Sequence, residues 1–419
     1  MRLEDNHGLF KALSGNELVL PVFIFDKNIL EALDNKKDKR VYFIYQNLLG
    51  IQKKLEEINS SLLVIYGTPI EAFGKICSSF DVKNVFTNHD YEPYAIKRDK
   101  QIAEFLKEKN IPFYTFKDQV IFEKAEVHKP DGTPYTVFTP YSKAWKQKFK
   151  EQPAEFYHSE KLLRNFLKIK PFDFPSLKEI GFEEANVNVP KPVIDSHILS
   201  SYDKTRNIPS VDGTSRLSVH LRFGTISVRK LAQTGNKLNE QFLNELIWRE
   251  FFMMILFHFP KVLDRCFKEE YESIKWRNDE KEFKAWCKGE TGYPLVDAGM
   301  RELNETGYMH NRVRLVTASF LTKHLLIDWR WGEAYFAEKL LDYELSSNNG
   351  NWQWAAGCGC DAAPYFRIFN PTEQTKKLDP KLIYIKKWLS NLDGYLIPPI
   401  VDHNFARKKA IEVYKRALG

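Results

Sequence analysis

Apolar runs and amphipathic stretches alternate along the first part of the chain. Short apolar runs predict buried strands at 17–25, 61–67, 82–88 and 112–116, and helical spacing separates them at 40–58, 69–79 and 93–109. Strands that alternate with helices imply right-handed crossovers and a parallel sheet. No glycine-rich dinucleotide loop and no Walker loop follows any of these strands, so the common phosphate-binding motifs are missing from this sheet.

From about residue 196 the apolar spacing becomes helical almost throughout. The predicted helices are 216–232, 239–257, 280–287, 294–305, 311–327, 332–343 and 372–390. Helical periodicity without β-rich runs predicts an all-α second domain. Between the two patterns lie a Pro/Gly/Thr-rich loop at 125–140 and a proline-rich, charged stretch at 151–192, which indicate a connection. We therefore predict an α/β domain over 1–124, an interdomain connection over 125–195 and a helical domain over 196–419.

Composition narrows the class of protein. The 419 residues are 43% hydrophobic and include no apolar run long enough for a transmembrane span, and no signal-peptide pattern opens the chain. The five cysteines form no CxxC pair, so neither a disulfide framework nor a zinc site is indicated. We expect a reduced, cytoplasmic protein that does not enter a membrane.

Charge and aromatic residues are concentrated in the second half. The net charge is +7, and residues 366–419 hold 11 lysines and arginines against five acidic residues. Such an end attracts phosphate backbones, although a solvated basic helix would look the same. Eight of the nine tryptophans lie between Trp248 and Trp388, which indicates an unusual core or a π-system to be bound.

Two segments of the second half combine residue types that suit a ligand. Residues 213–218 (GTSRLS) place hydroxyls and free backbone amides before a helical stretch, which suits a phosphate as well as simple N-capping. Glu245, Trp248 and Arg249 share one helical face because they lie at i, i+3 and i+4. A carboxylate, an indole and a guanidinium together suit a planar, hydrogen-bonding base, or else a surface ion pair above a tucked tryptophan.

Three later segments carry further candidates. Asn311, Arg314 and Leu315 share a helical face in residues 310–315, which a solvated helix would also explain. Residues 342–354 offer acidic groups that could accept from a ring N–H or pair with an arginine, although their Asn-Asn-Gly sequence is typical of a turn in a loop without such chemistry. Residues 361–371 interleave aromatic side chains with Arg367, which suits flipped-base contacts or buried packing.

In this order, these segments resemble the photolyase/cryptochrome family. The matching motifs are GTSRLS at 213–218, ELIWREF at 245–251, TGYPLVDAGM at 291–300, GYMHNRVR at 307–314, NNGNWQW at 348–354 and DAAPYFRIFNP at 361–371. The resemblance runs from Arg2 to the end, is strongest over 202–374, and is closest to class I cyclobutane pyrimidine dimer photolyases. It implies a doubly wound α/β domain followed by an all-helical domain that binds FAD and DNA.

The resemblance also implies a role for individual residues. Those implied to bind FAD are Tyr202, Thr214, Ser215, Arg216, Leu217, Ser218, Arg314, Asp342, Tyr343, Glu344 and Asn348. Those implied to meet DNA or the lesion are Arg206, Glu245, Trp248, Arg249, Asn311, Arg312, Leu315 and Gln374. The catalytic set would be Glu245 at the lesion, Asn348 at the flavin N5, and Trp276, Trp329 and Trp352 as an electron path. No metal is implied.

The implied activity is light-dependent DNA repair by a monomer acting on double-stranded DNA that contains pyrimidine dimers. A dimer stacks and pairs poorly, so extruding it from the duplex costs less than extruding normal bases. Blue light would drive an electron from reduced FAD to the dimer, whose cyclobutane ring splits to restore two pyrimidines.

Four departures from the family pattern alter these expectations. Glu344 stands where the family usually has Asp, and Leu315 stands where dimer-repairing members usually have Met. Tyr94 and Ala95 replace the Asn and Glu of the methenyltetrahydrofolate pocket, so the antenna chromophore is left open. The first strand of the α/β sheet is missing before Arg2, and we expect the natural protein to start upstream.

Three alternatives share the resemblance. A cryptochrome would have the same fold and cofactor, but sensors often carry Asp or Cys where this chain has Asn348. A (6-4) photolyase would have paired histidines at the lesion, and here only His310 precedes Asn311. An inactive remnant is the third alternative.

Overall fold

The structure is a computed structural model that describes residues 1–390, 395 and 397–419. Backbone contacts divide the chain into two compact units. The first contains Met1–Glu123, Gln152–Pro192 and Val219–Gln233, and the second contains Lys124–Glu151, Val193–Ser218 and Thr234–Gly419. These boundaries differ from the predicted ones because residues 125–195 are shared between the two units and residues 219–233 return to the first.

Parallel strand pairs and their crossover helices build the first unit. Its elements are α1 His7–Leu13, β1 Val22–Asp26, α2 Lys27–Leu30, α3 Lys39–Glu56, β2 Leu63–Gly67, α4 Pro69–Ser79, β3 Val85–Asn88, α5 Pro93–Glu108 and β4 Phe113–Phe116. In β1 and β2, Val22 lies opposite Leu63, and in β3 and β4, Val85 lies opposite Phe113. This confirms the predicted α/β class. The described strands form two separate sheets of two parallel strands each, β1 with β2 and β3 with β4.

Helix starts in this unit coincide with capping residues. Thr68 and Glu71 form a capping box at the start of α4, with Pro69 as its first residue. Asp38 caps α3 by accepting from two backbone amides. The apolar faces of the helices pack on the strands, and the resulting core includes Phe25, Leu30, Val41, Leu48, Leu55 and Val64.

A buried ion-pair cluster joins distant stretches of the first unit. Arg229 Nε donates to both carboxylate oxygens of Asp5 at 3.0 Å, and its Nη2 lies 2.8 Å from Asp118 Oδ1. The side chains of Asp5, Asp118 and Arg229 are only 5–6% exposed. Burial acts to raise the pKa of Asp118, but the Arg2 and Arg229 guanidiniums outweigh it and hold that pKa below its usual value.

The remaining helices lie mostly in the second unit. They are α6 Phe138–Glu151, α7 Ser196–Ser200, α8 Tyr202–Thr205, α9 Ser218–Phe223, α10 Val228–Leu238, α11 Glu240–His258, α12 Glu280–Lys288, α13 Pro294–Thr306, α14 Asn311–Ser319, α15 Trp329–Lys339, α16 Leu345–Ala356, α17 Pro371–Leu378, α18 Ile383–Trp388 and α19 His403–Leu418. A π-helical turn, Phe320–His324, follows α14. No strand occurs in the described part of this unit, which confirms the all-α prediction. None of the described helices is long and apolar enough to cross a bilayer.

Two predicted helices are interrupted. The stretch 216–232 divides into α9 and α10 at Gly224, whose φ of 63° ends the first helix. The stretch 372–390 divides into α17 and α18 before Leu382, which has a φ of 56°, and Asp379 accepts from the amides of Ile383 and Ile385. Apolar spacing continues across both breaks, which is why the periodicity alone did not reveal them.

Helices α16 and α6 lie where a loop or a connection was predicted. The Asn-Asn-Gly sequence, predicted as a turn, lies inside α16, and a Cβ at Gly350 would come 2.2 Å from the Phe252 ring. Glycine is therefore present there for close packing. Helix α6 occupies the predicted loop and connection, and its buried Tyr141, Trp145 and Phe149 at i, i+4 and i+8 were the signal in the sequence.

Arg229→Met is expected to destabilise the protein by about 3–5 kcal/mol because it leaves two buried carboxylates undercompensated. The lowered pKa of Asp118 stabilises the native state above the unfolded carboxyl pKa of about 3.9, and that stabilisation is lost as pH falls through the folded-state pKa. Removing Arg229 raises the folded-state pKa, so acid unfolding should begin at higher pH. Urea and acid unfolding followed by circular dichroism measure both effects.

Lys230→Met on the same helix is the matched control. The Lys230 side chain is half exposed and lies 3.6 Å from Glu4, so its loss should change stability by less than about 1 kcal/mol. If both variants lost the same free energy of unfolding, the buried cluster would stabilise the protein no more than an exposed ion pair does.

Candidate functional site

A cavity of about 720 Å³ opens among the helices of the second unit. We call it the large cavity. All eight residues implied to meet DNA or the lesion line it: Arg206, Glu245, Trp248, Arg249, Asn311, Arg312, Leu315 and Gln374. Tyr202, predicted to bind FAD, also lines this cavity, as do Arg367 and Phe369 of the candidate segment 361–371. Trp354 of the candidate segment 342–354 lines it too, together with Lys377, which sequence reasoning did not single out.

Helix α11 provides one wall of the large cavity. Asn239 caps the start of this helix, where its side chain accepts from the Phe242 amide. The predicted i, i+3, i+4 spacing brings Glu245, Trp248 and Arg249 to the cavity together. This wall therefore offers a hydrogen-bond acceptor, a flat aromatic surface and a cation side by side.

Several arginine and lysine side chains line the large cavity. Arg206 forms an ion pair with Glu245, whose Oε1 also accepts from Gln241 Nε2 at 3.0 Å. Arg312 Nε donates to Asn207 Oδ1 at 2.6 Å. Burial lowers the pKa of Arg312, and the neighbouring Arg206 lowers it further. A surplus of positive charge around a concave site suits a polyanion such as a nucleic acid backbone.

Helix α14 enters the site with a neutral histidine at its start. Burial and the nearby Arg314 and Arg312 lower the pKa of His310 to about 4. The neutral ring caps α14, with Nδ1 accepting from the Arg312 amide at 3.2 Å. This cap fixes the position of Asn311, the first residue of the helix, at the cavity wall.

A second cavity of about 100 Å³ adjoins the large one, and we call it the small cavity. The two share Asn311, Leu315, Ser347 and Asn351 as lining residues. The small cavity brings together five of the residues predicted to bind FAD, and Trp352 of the predicted electron path lines it as well; the five are Arg314, Asp342, Tyr343, Glu344 and Asn348. Its other walls are mainly apolar, with Ala318, Phe336 and Leu340.

An ion pair and hydrogen bonds fix the positions of the polar side chains that line the small cavity. Arg314 Nη2 lies 3.0 Å from Asp342 Oδ2. Asn348 Nδ2 donates to the backbone and side-chain oxygens of Glu333 at 3.1 and 2.8 Å, which leaves Oδ1 as the atom to accept from a ligand. Burial raises the pKa of Glu333. Glu344 caps α16 by accepting from two backbone amides and two serine hydroxyls.

The predicted phosphate-binding segment lies outside both cavities and approaches them through Tyr308. Thr214 Oγ1 is 3.4 Å from the Tyr308 hydroxyl, and the Arg216 guanidinium lies 5.4 Å from the Tyr308 ring centre. Arg314 of the small cavity lies 5.8 Å from the same ring. Leu217 is buried, and Ser215 and Ser218 are half-buried. Sequence reasoning missed Tyr308, which links the segment to the small cavity.

The three candidate tryptophans lie on adjoining elements. Trp352 and Trp329 are 2% and 1% exposed, whereas Trp276 is only partly buried. The Trp352 ring packs on Gly332 of α15, the helix that begins at Trp329. The segment after Trp276 joins the turn before α15, where the Arg277 amide donates to the Leu326 carbonyl at 2.7 Å. Trp352 and Trp329 are thus both buried, and Trp276 is the one of the three that reaches solvent.

The donor set of the small cavity fits a flavin. A flavin has apolar faces and a hydrogen-bonding edge. The apolar walls and the polar group formed by Arg314, Asp342 and Asn348 match both features. The segment around Thr214 and Arg216 supplies hydroxyls and a cation of the kind a diphosphate needs.

Comparisons with known proteins agree with this geometry. Residues 242–396 match the FAD binding domain of DNA photolyase, and residues 1–158 match the DNA photolyase family. An α/β unit combined with a helical FAD-binding unit defines the class of photolyases and cryptochromes. The chain belongs to the DNA photolyase family.

Individual relatives match over almost their whole length. The deoxyribodipyrimidine photo-lyase of Alkalihalophilus pseudofirmus is 38% identical over 89% of this chain and 87% of its own. A class III photolyase from Agrobacterium tumefaciens has a TM-score of 0.86 at 30% identity, covering 99% of this chain and 95% of that one. An archaeal photolyase from Sulfolobus tokodaii, solved with two FAD molecules, has a TM-score of 0.82 at 34% identity, covering 99% and 97%. The likeness therefore extends beyond class I.

Gly332→Ala is expected to displace Trp352 and to lower both thermal stability and FAD retention. A Cβ at this position would lie 2.1 Å from the Trp352 ring and 2.6 Å from Leu321, and such overpacking costs about 1–3 kcal/mol. Thermal unfolding and the ratio of flavin to protein absorbance measure the two effects.

Gly50→Ala is the matched control because nothing lies within 4 Å of its added Cβ in the middle of α3. Alanine has the better helix propensity, so this variant should be as stable as the parent or more so, by up to about 1 kcal/mol. If Gly332→Ala were as stable as the parent and retained as much FAD, it would contradict the close packing of the Trp352 ring on Gly332.

Proposed function

We propose that this protein is a light-dependent DNA repair enzyme that splits cyclobutane pyrimidine dimers in double-stranded DNA, acting as a cytoplasmic monomer. The observation that carries the proposal is the shared wall of the two cavities. A cation-rich cavity of about 720 Å³ adjoins a cavity lined for a flavin, with Asn311, Leu315, Ser347 and Asn351 common to both. A pyrimidine dimer, which is two adjacent bases of one strand joined by light, would then lie next to the flavin that repairs it.

The side chains of α11 that line the large cavity recognise the lesion. Trp248 offers a stacking surface to the extruded pyrimidines, a contact type that contributes about 1–3 kcal/mol per base. Glu245 accepts from the hydrogen-bonding edge of a pyrimidine. To do so its carboxylate exchanges part of its contact with Arg206, which then turns to a backbone phosphate.

The other cavity residues hold the strand and the lesion. Arg249, Arg312 and Gln374 contact phosphates and sugars around the flipped nucleotides, while Asn311 and Leu315 contact the dimer between the two cavities. Such phosphate contacts add affinity that falls with salt, and the cavity contacts add the preference for damage.

FAD would be held at its diphosphate by Thr214, Ser215, Arg216, Leu217 and Ser218, and in the small cavity by Arg314, Asp342, Tyr343, Glu344 and Asn348. When bound, reduced and excited by blue light, FAD supplies one electron to the dimer and recovers it after the ring splits. The Asn348 Oδ1 accepts a hydrogen bond there and so favours a protonated, reduced ring. Trp352, Trp329 and Trp276 carry an electron inward from the surface when the cofactor is oxidised.

The α/β region, predicted as residues 1–124, is proposed as the antenna domain. Tyr94 donates to Asp26 through its hydroxyl, and Ala95 is buried. Neither supplies the amide or the carboxylate of a methenyltetrahydrofolate pocket, so we propose that an antenna of that type is absent.

Repair is tested directly with FAD-loaded, reduced protein and an oligonucleotide duplex containing one thymine dimer. Dimer loss, measured by chromatography, should occur under blue light and not in the dark. Protein that binds FAD, changes its visible spectrum in light and yet leaves the dimer intact would support the cryptochrome alternative.

Trp248→Ala should weaken binding to dimer-containing duplex by about 1–3 kcal/mol because a stacking surface is lost. Binding to the undamaged duplex depends on phosphate contacts and should change little. Fluorescence anisotropy with both duplexes measures the ratio, and an equal loss on both would contradict the stacking role.

Trp352→Phe should sharply slow light-driven reduction of the oxidised, FAD-loaded protein because it removes the buried end of the tryptophan path. Visible absorbance under illumination measures the rate. Trp388→Phe, the same change on α18, is the control and should retain the parent rate. An unchanged rate in Trp352→Phe would remove this residue from the path.

A further inference from the structure

Helix α6 lies antiparallel along α11 in a regular register. Ser142 Oγ is 3.3 Å from Asn244 Oδ1, and Lys146 forms an ion pair with Glu240. A step of four residues along α6 is thus matched by a step of four residues back along α11. The next pair in this register, toward the start of α6, is Phe138 with Trp248.

Phe138 and Trp248 form a parallel stack. Their ring centres are 3.7 Å apart and the planes differ by 5°. Phe251 closes the edge of both rings, 5.9 Å from Phe138 and 5.6 Å from Trp248, at nearly right angles. Trp248 lines the large cavity, and among the described residues that line it Phe138 does not occur. Phe138 thus covers one face of the indole without lining the cavity, whereas Phe252, which does line it, lies tilted at 31° with its ring centre 5.4 Å from that of Trp248.

The position of Phe138 is fixed from the opposite side as well. Its backbone amide, at the first position of α6, donates to Asp361 Oδ2 at 3.1 Å. Amides in the first turn of a helix lack partners within the helix, so this carboxylate anchors the start of α6. The segment that begins at Asp361 leads to Arg367 and Phe369, which line the large cavity.

We propose that Phe138 is a positioning residue that holds the Trp248 indole in the plane needed to stack on a flipped pyrimidine dimer. This rests on the proposed function. A tryptophan side chain turns about two torsions, and binding a flat ligand on one face requires both to be ordered. A parallel ring on the far face orders them before the lesion arrives, so less entropy is lost on binding.

The test compares Phe138→Leu with the parent in the FAD-loaded full-length protein. Leucine keeps an apolar side chain but removes the flat ring. We expect the affinity for a thymine-dimer duplex, divided by that for the same undamaged duplex, to fall about two- to tenfold, the worth of one aromatic pair. The repair rate per bound dimer at saturating DNA should change much less, so the effect appears in KM more than in kcat. Phe138→Tyr keeps the ring and should restore the ratio.

Phe149→Leu is the matched control. Phe149 is on the same helix and stacks on Trp145 with ring centres 4.9 Å apart, but Trp145 does not line the large cavity. This variant should retain the parent ratio even if it unfolds at lower temperature, which separates positioning from general stability.

An unchanged ratio in folded Phe138→Leu would overturn the proposal. So would a higher ratio, since it would mean that Phe138 occupies the face that the dimer needs. Parent protein that does not distinguish damaged from undamaged DNA would instead contradict the proposed function itself, so the two failures are told apart by the parent measurement.

Discussion

The start of α16 at Glu344 is the constraint on which both cavities depend. The Glu344 carboxylate satisfies the backbone amides and hydroxyls of Ser346 and Ser347, groups that are largely buried at the beginning of the helix. From this cap the helix presents Ser347 and Asn351 to both cavities, and Asn348 and Trp352 to the small one. Glu344, which stands where the family usually has aspartate, thus acts as the N-cap of α16, and its carboxylate contacts both Ser346 and Ser347.

Much of the fold could be predicted from residue spacing because local patterns determine it. Alternation of strands and helices gave the α/β region, and the i, i+3, i+4 spacing placed Glu245, Trp248 and Arg249 on one wall. Helix α16 was missed since Asn-Asn-Gly favours a turn locally, and only the ring of Phe252, far away in sequence, requires a glycine there. Tertiary packing overrode the local preference.

Residues that support the site were harder to predict than residues that line it. Lining residues carry recognisable chemistry in short motifs, so all eight lesion candidates appear around one cavity. Tyr308, Glu333 and Phe138 act through contacts that depend on how distant helices pack, and even the motif at 307–314, which contains Tyr308, does not show which residues Tyr308 meets. Local sequence pattern does not report such pairings, whereas the three-dimensional arrangement does.

The buried cluster of Asp5, Asp118 and Arg229 has a consequence for the order in which the chain can fold during synthesis. The carboxylates of Asp5 and Asp118 are synthesised early, but Arg229, which pairs with both of them, leaves the ribosome more than a hundred residues after Asp118. Until then Arg2 can pair with Asp118, but the Asp5 carboxylate lacks the guanidinium that compensates it, so completion of this buried cluster waits for translation well into the helical part. The unit whose synthesis begins first therefore completes its folding late.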